Sequence, residues 1–334
     1  MINWSEVIYL GTPGSNAPAT FTVNLYSQDG VLQNTQTVTL NPLEERDVQA
    51  GHEIIDPATG LVVESVYLVE VIPQDPNAEY LFSAARYSTR VADTFNYAMA
   101  IPGRPGLGGA NKKIYAAASA ETFTCGSTQN WIEVANVTNA VNTVLLTFRD
   151  DLGNITAQSS NALAPRSQFH FNASIMLGGA FTGSVEIETN QANSIIAQSM
   201  NYILDCNANG VQTAYVTLAR EPGRRSQVGT GNSFLDMENL LRVVSTTNSL
   251  TNTNIGLETF VGETSGTSFP LLANGCHDLD VSNDPTIIFP ANRYGILDTQ
   301  TNNSSESIMD MLRKRSRTDA GVPKFDFIIP TLVR

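Results

Sequence analysis

Two five-residue stretches, NWSEV at 3–7 and NWIEV at 130–134, hold both tryptophans of a 334-residue chain. Recurrence at long spacing is the mark of one structural unit written more than once, and it limits the possible folds before any other feature is read. The match runs on past the pentapeptides. Asn3–Val7 leads into ATFTVNLYSQDGVL and Asn130–Val134 into NTVLLTFRDDLGNI, each an alternating run that ends in an Asp/Gly turn. A third copy starts at Asn239-Leu240-Leu241-Arg242-Val243 and continues NTNIGLETFVGETSG, with Leu240 in the tryptophan place and Gly262 at the turn. The back halves agree too, SVYLVEV…FNYAMAIPG with SVEIETNQ…AYVTLAREPG, and the three copies close at Pro102, Pro222 and Pro330. The expectation is three units, 1–104, 105–224 and 225–334. The Pro/Gly-rich breaks at 102–113 and 221–232 separate them.

Each unit reads as β-structure. TVNLY, TVTL, SVEIE, AYVTLA and FDFII alternate or run apolar over five or six residues between turn signals. Charged residues make up only 15% of the chain, against about 25% in an average domain, and β-branched and hydroxyl residues take their place. About seven short strands per roughly 100 residues is the pattern of a β-sandwich. Trp4, Trp131 and Leu240 are then expected as core anchors between two sheets. The most helix-like run, 305–315, aligns with the strand-like NSIIAQSMNY and is read as strand. Stretches resembling a further strand, 113–123 and 233–237, precede the second and third pentapeptides, whereas the first unit opens on its pentapeptide. The first sandwich is therefore expected to be short of its N-terminal strand. Either the chain is a piece of a longer product or the unit makes do with fewer strands, or a neighbouring subunit covers the edge and links molecules head to tail. MINWSEVIYL does not read as a signal peptide, so the expectation is a mature or excised form, or export by another route.

The chemistry-bearing residues do not converge. Cys125 and Cys206 fall near strand ends of the second unit and are candidates for a disulfide, with two buried free thiols as the alternative. The bridge would close a loop of about 80 residues and stabilise by about 4 kcal/mol in the chain-entropy view. Cys276 has no partner in its own unit. His52, His170 and His277 stand in no metal-ligand spacing. In CHDLD (276–280), strand alternation places His277 opposite Cys276 and Asp278, which rules out a local nucleophile pair. GRPGLGG (103–109) has no helix after it and reads as a spacer. The acidic turns RDDLGN (149–154) and DLDVSND (278–284) miss the calcium-loop spacing and suit hairpin turns. RKRSR (313–317), the only basic run, is read as exposed strand or turn, with docking on an acidic neighbour as the alternative. Sequons stand at Asn136, Asn154, Asn172, Asn302 and Asn303. A net charge of −13 argues against nucleic acid and anionic membrane as partners. No apolar run of bilayer length is present. No catalytic, cofactor-binding or metal-ligating residue is assigned.

On VANVTNAVNTVLLTFRDDLGN (134–154), LAPRSQFHF (163–171), TGSVEIET (182–189) and LNPLEERDV (40–48), the chain resembles the Ig-like β-sandwich repeats of bacterial secreted and cell-surface proteins. The resemblance implies an all-β chain of three tandem Ig-like antiparallel β-sandwich domains, the first lacking its N-terminal strand. It also implies an extracellular or cell-surface location and a non-enzymatic structural role as a self-assembling filament or surface-layer subunit, with copies of itself as partner. An adhesin or carbohydrate-binding module with a glycan or cell-surface ligand, or a phage or virus-like structural component, is the alternative.

Overall fold

The computed structural model describes residues 3–12, 16–50, 54–55, 62–63, 68–90, 94–109, 112–121, 127–204, 211–231, 237–290, 293–302, 308–317, 323–329 and 332–333. The described chain is almost wholly β-strand, in antiparallel sheets that occur as three successive pairs. In the first group lie β1 (Asn3–Gly11), β2 (Ala19–Tyr26), β3 (Leu32–Leu40), β4 (Glu45–Ala50), β5 (Ile54–Ile55), β6 (Val62–Val63), β7 (Leu68–Pro73), β8 (Leu81–Arg90) and β9 (Thr94–Pro102). They form the sheets β4-β1-β8-β9 and β3-β2-β7, with β5 and β6 paired separately.

The second group comprises β10 (Ile114–Ala120), β11 (Thr128–Asn136), β12 (Asn142–Asp150), β13 (Ile155–Leu163), β14 (Gln168–Asn172), α1 (Ala173–Leu177), β15 (Phe181–Thr189), β16 (Ile195–Leu204) and β17 (Val211–Leu218). Its sheets are β14-β11-β16-β17 and β10-β15-β12-β13. The third group runs β18 (Arg225–Gly231), β19 (Met237–Ser245), β20 (Thr251–Thr259), β21 (Thr264–Leu271), β22 (Cys276–Asp280), β23 (Tyr294–Thr301), β24 (Ile308–Arg317), β25 (Pro323–Ile329) and β26 (Leu332–Val333). Its sheets are β22-β19-β24-β25 and β21-β20-β23-β18-β26.

Alternation along the strands builds each core. In β2 every second residue is buried, so Phe21, Val23 and Leu25 point inward. They meet Leu10 and Val48 from the opposite sheet. The second core joins Ile132, Val134 and Phe171 of one sheet to Leu146, Phe148 and Ile187 of the other, and the Phe148 and Phe171 rings stack at 4.8 Å. The third core joins Leu241, Val243 and Leu279 to Ile255, Leu257 and Leu297. Residues from two sheets meeting in one core make each pair a sandwich. Each fully buried Leu, Ile or Phe contributes about 1.5–3 kcal/mol.

Two turns recur in all three groups. The first follows β2, β12 and β20. There Gly30 donates to the Ser27 carbonyl, Gly153 to Asp150 and Gly262 to Thr259, at 2.8–3.1 Å. The three glycines have φ of 84°, 88° and 85°, the left-handed region that glycine enters at least cost. The second turn follows β3, β13 and β21, where buried Leu40, Leu163 and Leu271 are each followed three residues later by a residue with positive φ, namely Leu43, Arg166 and Asn274. In each bend the next N–H bonds back three residues: Glu44 to Asn41, Ser167 to Ala164 and Gly275 to Leu272.

Pairing of the bends corrects the register read from the tryptophans. Glu45, Gln168 and Cys276, each two residues past the positive-φ residue, pair with Gly11, Ala135 and Val244. Trp131 and Leu240 therefore hold one position, while Trp4 lies three residues earlier on its strand, opposite Ser88 of β8. Trp131 and Leu240 are also only half-buried, and the core positions belong to their neighbours Ile132 and Leu241. In the second and third copies the asparagine before that position has the clearer structural role. Asn130 is fully buried and donates to Ser199 Oγ and the Met200 carbonyl, and Asn239 is fully buried and donates to Ser282 Oγ.

The short helix α1 was not expected. Asn172 caps it by accepting from the Ile175 N–H at 3.0 Å, and Gly178 ends it in the left-handed region, which is the local chemistry a one-turn helix needs. Of the run 305–315 read as strand from the sequence, residues 308–315 are strand, within β24, and 305–307 lie outside the described residues.

Candidate functional site

Several residues singled out in the sequence turn out to serve structure. Cys125, Cys206 and His52 lie outside the described residues, and no disulfide occurs among those described. Cys276 is a free thiol, buried with Tyr115 and Val244, and burial pushes its pKa up to about 12. That is the reverse of an activated nucleophile. The exposed His277 ring packs on Phe269 at 4.4 Å, and His170 lies 3.8 Å from Glu133. The acidic turns spend their carboxylates on themselves: Asp150 accepts from Asn154, Asp280 from Ser282 and Asn283, and Asp284 from Thr286. Among the described residues no three His, Cys, Asp or Glu gather as a metal-ligand set. Arg313–Arg317 lie on β24, paired with β19. Asn136 is fully buried and donates to the carbonyls of Ala140, Leu163 and Ala164, so its sequon is structural.

Residues 103–109 are not a loose spacer. Arg104 donates to the carbonyls of Ala197 and Ala219, and its burial, with Arg220 close by, lowers its pKa to about 10. Leu107 exchanges hydrogen bonds with Ser194 and Ile195. At Gly106 and Gly109 backbone approaches backbone: a Cβ there would stand 2.2 Å from the Asn193 carbonyl oxygen and 2.3 Å from Ala192 Cα.

Among the contacts between the sandwiches, one is made twice. From the first to the second, the Gln168 N–H donates to the Gln28 carbonyl at 2.9 Å. Gly30 lies so near the second bend that a Cβ on it would stand 2.1 Å from the Pro165 carbonyl oxygen. From the second to the third, the Cys276 N–H donates to the Asp151 carbonyl at 3.0 Å, and a Cβ on Gly153 would stand 2.0 Å from the Ala273 oxygen. In both places the glycine turn of one sandwich enters the bend of the next, at equivalent atoms.

The first junction also differs from the second. Glu70, Glu186 and Asp298 hold equivalent places on β7, β15 and β23. Glu186 takes Lys113 at 2.7 Å, and Asp298 takes Arg225 at the start of β18. These cations stand at or beside the strand that completes each sheet. Glu70 instead takes Arg166 of the second sandwich at 2.6 Å, with the guanidinium 5.7 Å from the Tyr26 ring centre. Among the described residues β7 pairs only with β2, whereas β15 carries β10 and β23 carries β18.

Beside that edge lies a cavity of about 550 Å³, lined by Leu68–Val71 of β7 and by Glu133, Ala135 and Gln168 of the second sandwich. The residues equivalent to these last three, Arg242, Val244 and Cys276, contact β10 in the second junction: Arg242 donates to the Ala118 carbonyl, and Val244 and Cys276 pack on Tyr115. The cavity is thus the place a fourth strand would take. Gln168 Nε2 and Arg166 Nε, both in its lining residues, are buried and lack hydrogen-bond partners. No helix among the described residues is long and apolar enough to cross a membrane. No protein-family model, curated protein or solved structure matches the chain.

Proposed function

We propose that this chain is a non-enzymatic structural protein of the extracellular space or cell surface, which joins copies of itself through its β-sandwich edges into a filament or layer. In this reading the three sandwiches are tandem Ig-like domains, 1–104, 105–224 and 225–334, and the first is completed by contact with another chain. The edge of β7, which among the described residues pairs only with β2, carries the proposal together with the strand-sized cavity beside it. An unpaired edge offers a row of backbone donors and acceptors, and a free edge of this kind is a template for pairing with another chain. Low charge and hydroxyl-rich composition agree with a surface built for packing.

Static light scattering and negative-stain electron microscopy on the purified chain, over a concentration series, test the reading. Mass that rises with concentration and ordered particles support it. A monomer at every concentration refutes it.

A further inference from the structure

We infer that copies of this chain join head to tail by repeating their own internal junction, the Thr259–Glu263 turn of one copy entering the 41–45 bend of the next. The inference rests on the self-assembly proposed above and adds to the β7 edge a second contact, at the two ends of the three-sandwich array.

The chain already makes this junction twice, but three sandwiches hold three turns and three bends. Among the described residues the turn at 259–263 and the bend at 41–45 make no such contact. At the unused turn, Gly262 has the φ of its two counterparts, yet nothing lies within 4 Å of where its Cβ would stand. The turn shows Phe260 to solvent at 72% exposure, with Val261 beside it at 59%. At the unused bend, Leu43 is 75% exposed in a left-handed conformation that only a constrained turn retains. Leu81, which faces Glu45 across Gly11, is exposed as well. In the junctions already made, Gln28, Asp151 and Leu152, the equivalents of Phe260 and Val261, remain exposed, so the unused surfaces are marked by Gly262 and Leu43, whose counterparts Gly30, Gly153, Arg166 and Asn274 are partly covered.

Equivalence specifies the contact atom by atom. The Glu45 N–H, in the place of Gln168 and Cys276, donates to the Phe260 carbonyl, in the place of Gln28 and Asp151. Gly262 Cα rests on the Pro42 carbonyl, in the place of Pro165 and Ala273. A turn entering a different surface is a heterologous contact, which yields a ring if the rotation closes and an open array if it does not. Closure after three sandwiches would seat the 259–263 turn on the 41–45 bend of the same chain. Both are exposed, so the array is open at three.

Two single variants test the contact, with mass read by light scattering at concentrations where the parent chain assembles. Gly262→Asn retains a residue that tolerates positive φ and places its Cβ in open space in the single chain, but at about 2 Å from the Pro42 oxygen in the joined one. Leu43→Asp charges the other surface. Each variant alone is expected to fall below the parent's mass at every such concentration, with the parent circular dichroism. Mixed one to one, they are expected to regain mass over either variant alone, because each still has one intact surface. Assembly of Gly262→Asn at the parent level, or a mixture no heavier than either variant alone, overturns the contact while leaving self-assembly by the β7 edge intact. A parent chain that never assembles overturns both.

Discussion

The internal junctions make a quantitative prediction at Gly153. Replacing it with alanine has two costs. Alanine held at φ near 88° loses about 1–2 kcal/mol to left-handed backbone strain. Its Cβ, placed 2.0 Å from the Ala273 carbonyl oxygen, forces the third sandwich away, and overpacking of this kind costs about 1–3 kcal/mol more. Gly262→Ala carries the first cost alone, because its Cβ meets nothing. At about 2 °C per kcal/mol for a chain longer than 150 residues, Gly153→Ala is expected to lower the melting temperature by about 4–10 °C and Gly262→Ala by about 2–4 °C. Gly30→Ala, 2.1 Å from the Pro165 oxygen, is expected to follow Gly153→Ala. Differential scanning calorimetry on dilute protein at low salt, where copies stay apart, reads the three values side by side. Equal shifts at all three glycines would refute the claim that these turns hold neighbouring sandwiches.

Phe148 is fully buried and stacked on Phe171, so Phe148→Ala is expected to cost about 3–5 kcal/mol, measurable as an earlier urea transition. Arg242 is buried at the second junction with its guanidinium on Asp278 through two bonds of 2.6 Å. Asp278→Ala strands that charge, and because the Asp278 side chain is 40% exposed, solvent reduces the expected loss to about 1–3 kcal/mol, again by urea titration. Cys276 is expected to resist alkylation at pH 8 in the folded chain and to react at once in denaturant. Its folded pKa, about 12, lies above the ordinary 9.0, so the stability it contributes is complete below pH 9 and is lost as pH rises from 9 towards 12. Melting temperatures across that range, compared with Cys276→Ser, read the effect. Glu44 and Glu45 would lie near Glu263 in the proposed contact, so assembly is expected to increase from about 0.01 to 0.15 M salt, as the Debye length falls from about 30 to 8 Å.

Strand alternation, the Asp/Gly turns and the threefold recurrence were legible in the sequence, because β-structure writes a period of two and glycine marks turns that other residues enter at a cost. The short helix was not, since its signal is one capping asparagine and a Gly-Gly pair inside a β-rich run. The tryptophan motif misled by three residues in the first unit. A pentapeptide carries a strand's period but not its register, and register is set by which residues of the partner strand it meets.

What the chain determines by itself is the repeated unit: buried leucines at 40, 163 and 271 and glycines at 30, 153 and 262 fall at matching places and dictate the same local turns. How the units meet was decided only in three dimensions. A backbone carbonyl has no side-chain signature, so neither the carbonyls of Gln28 and Asp151 that link the sandwiches nor the strand-sized cavity beside β7 had a residue type to announce it.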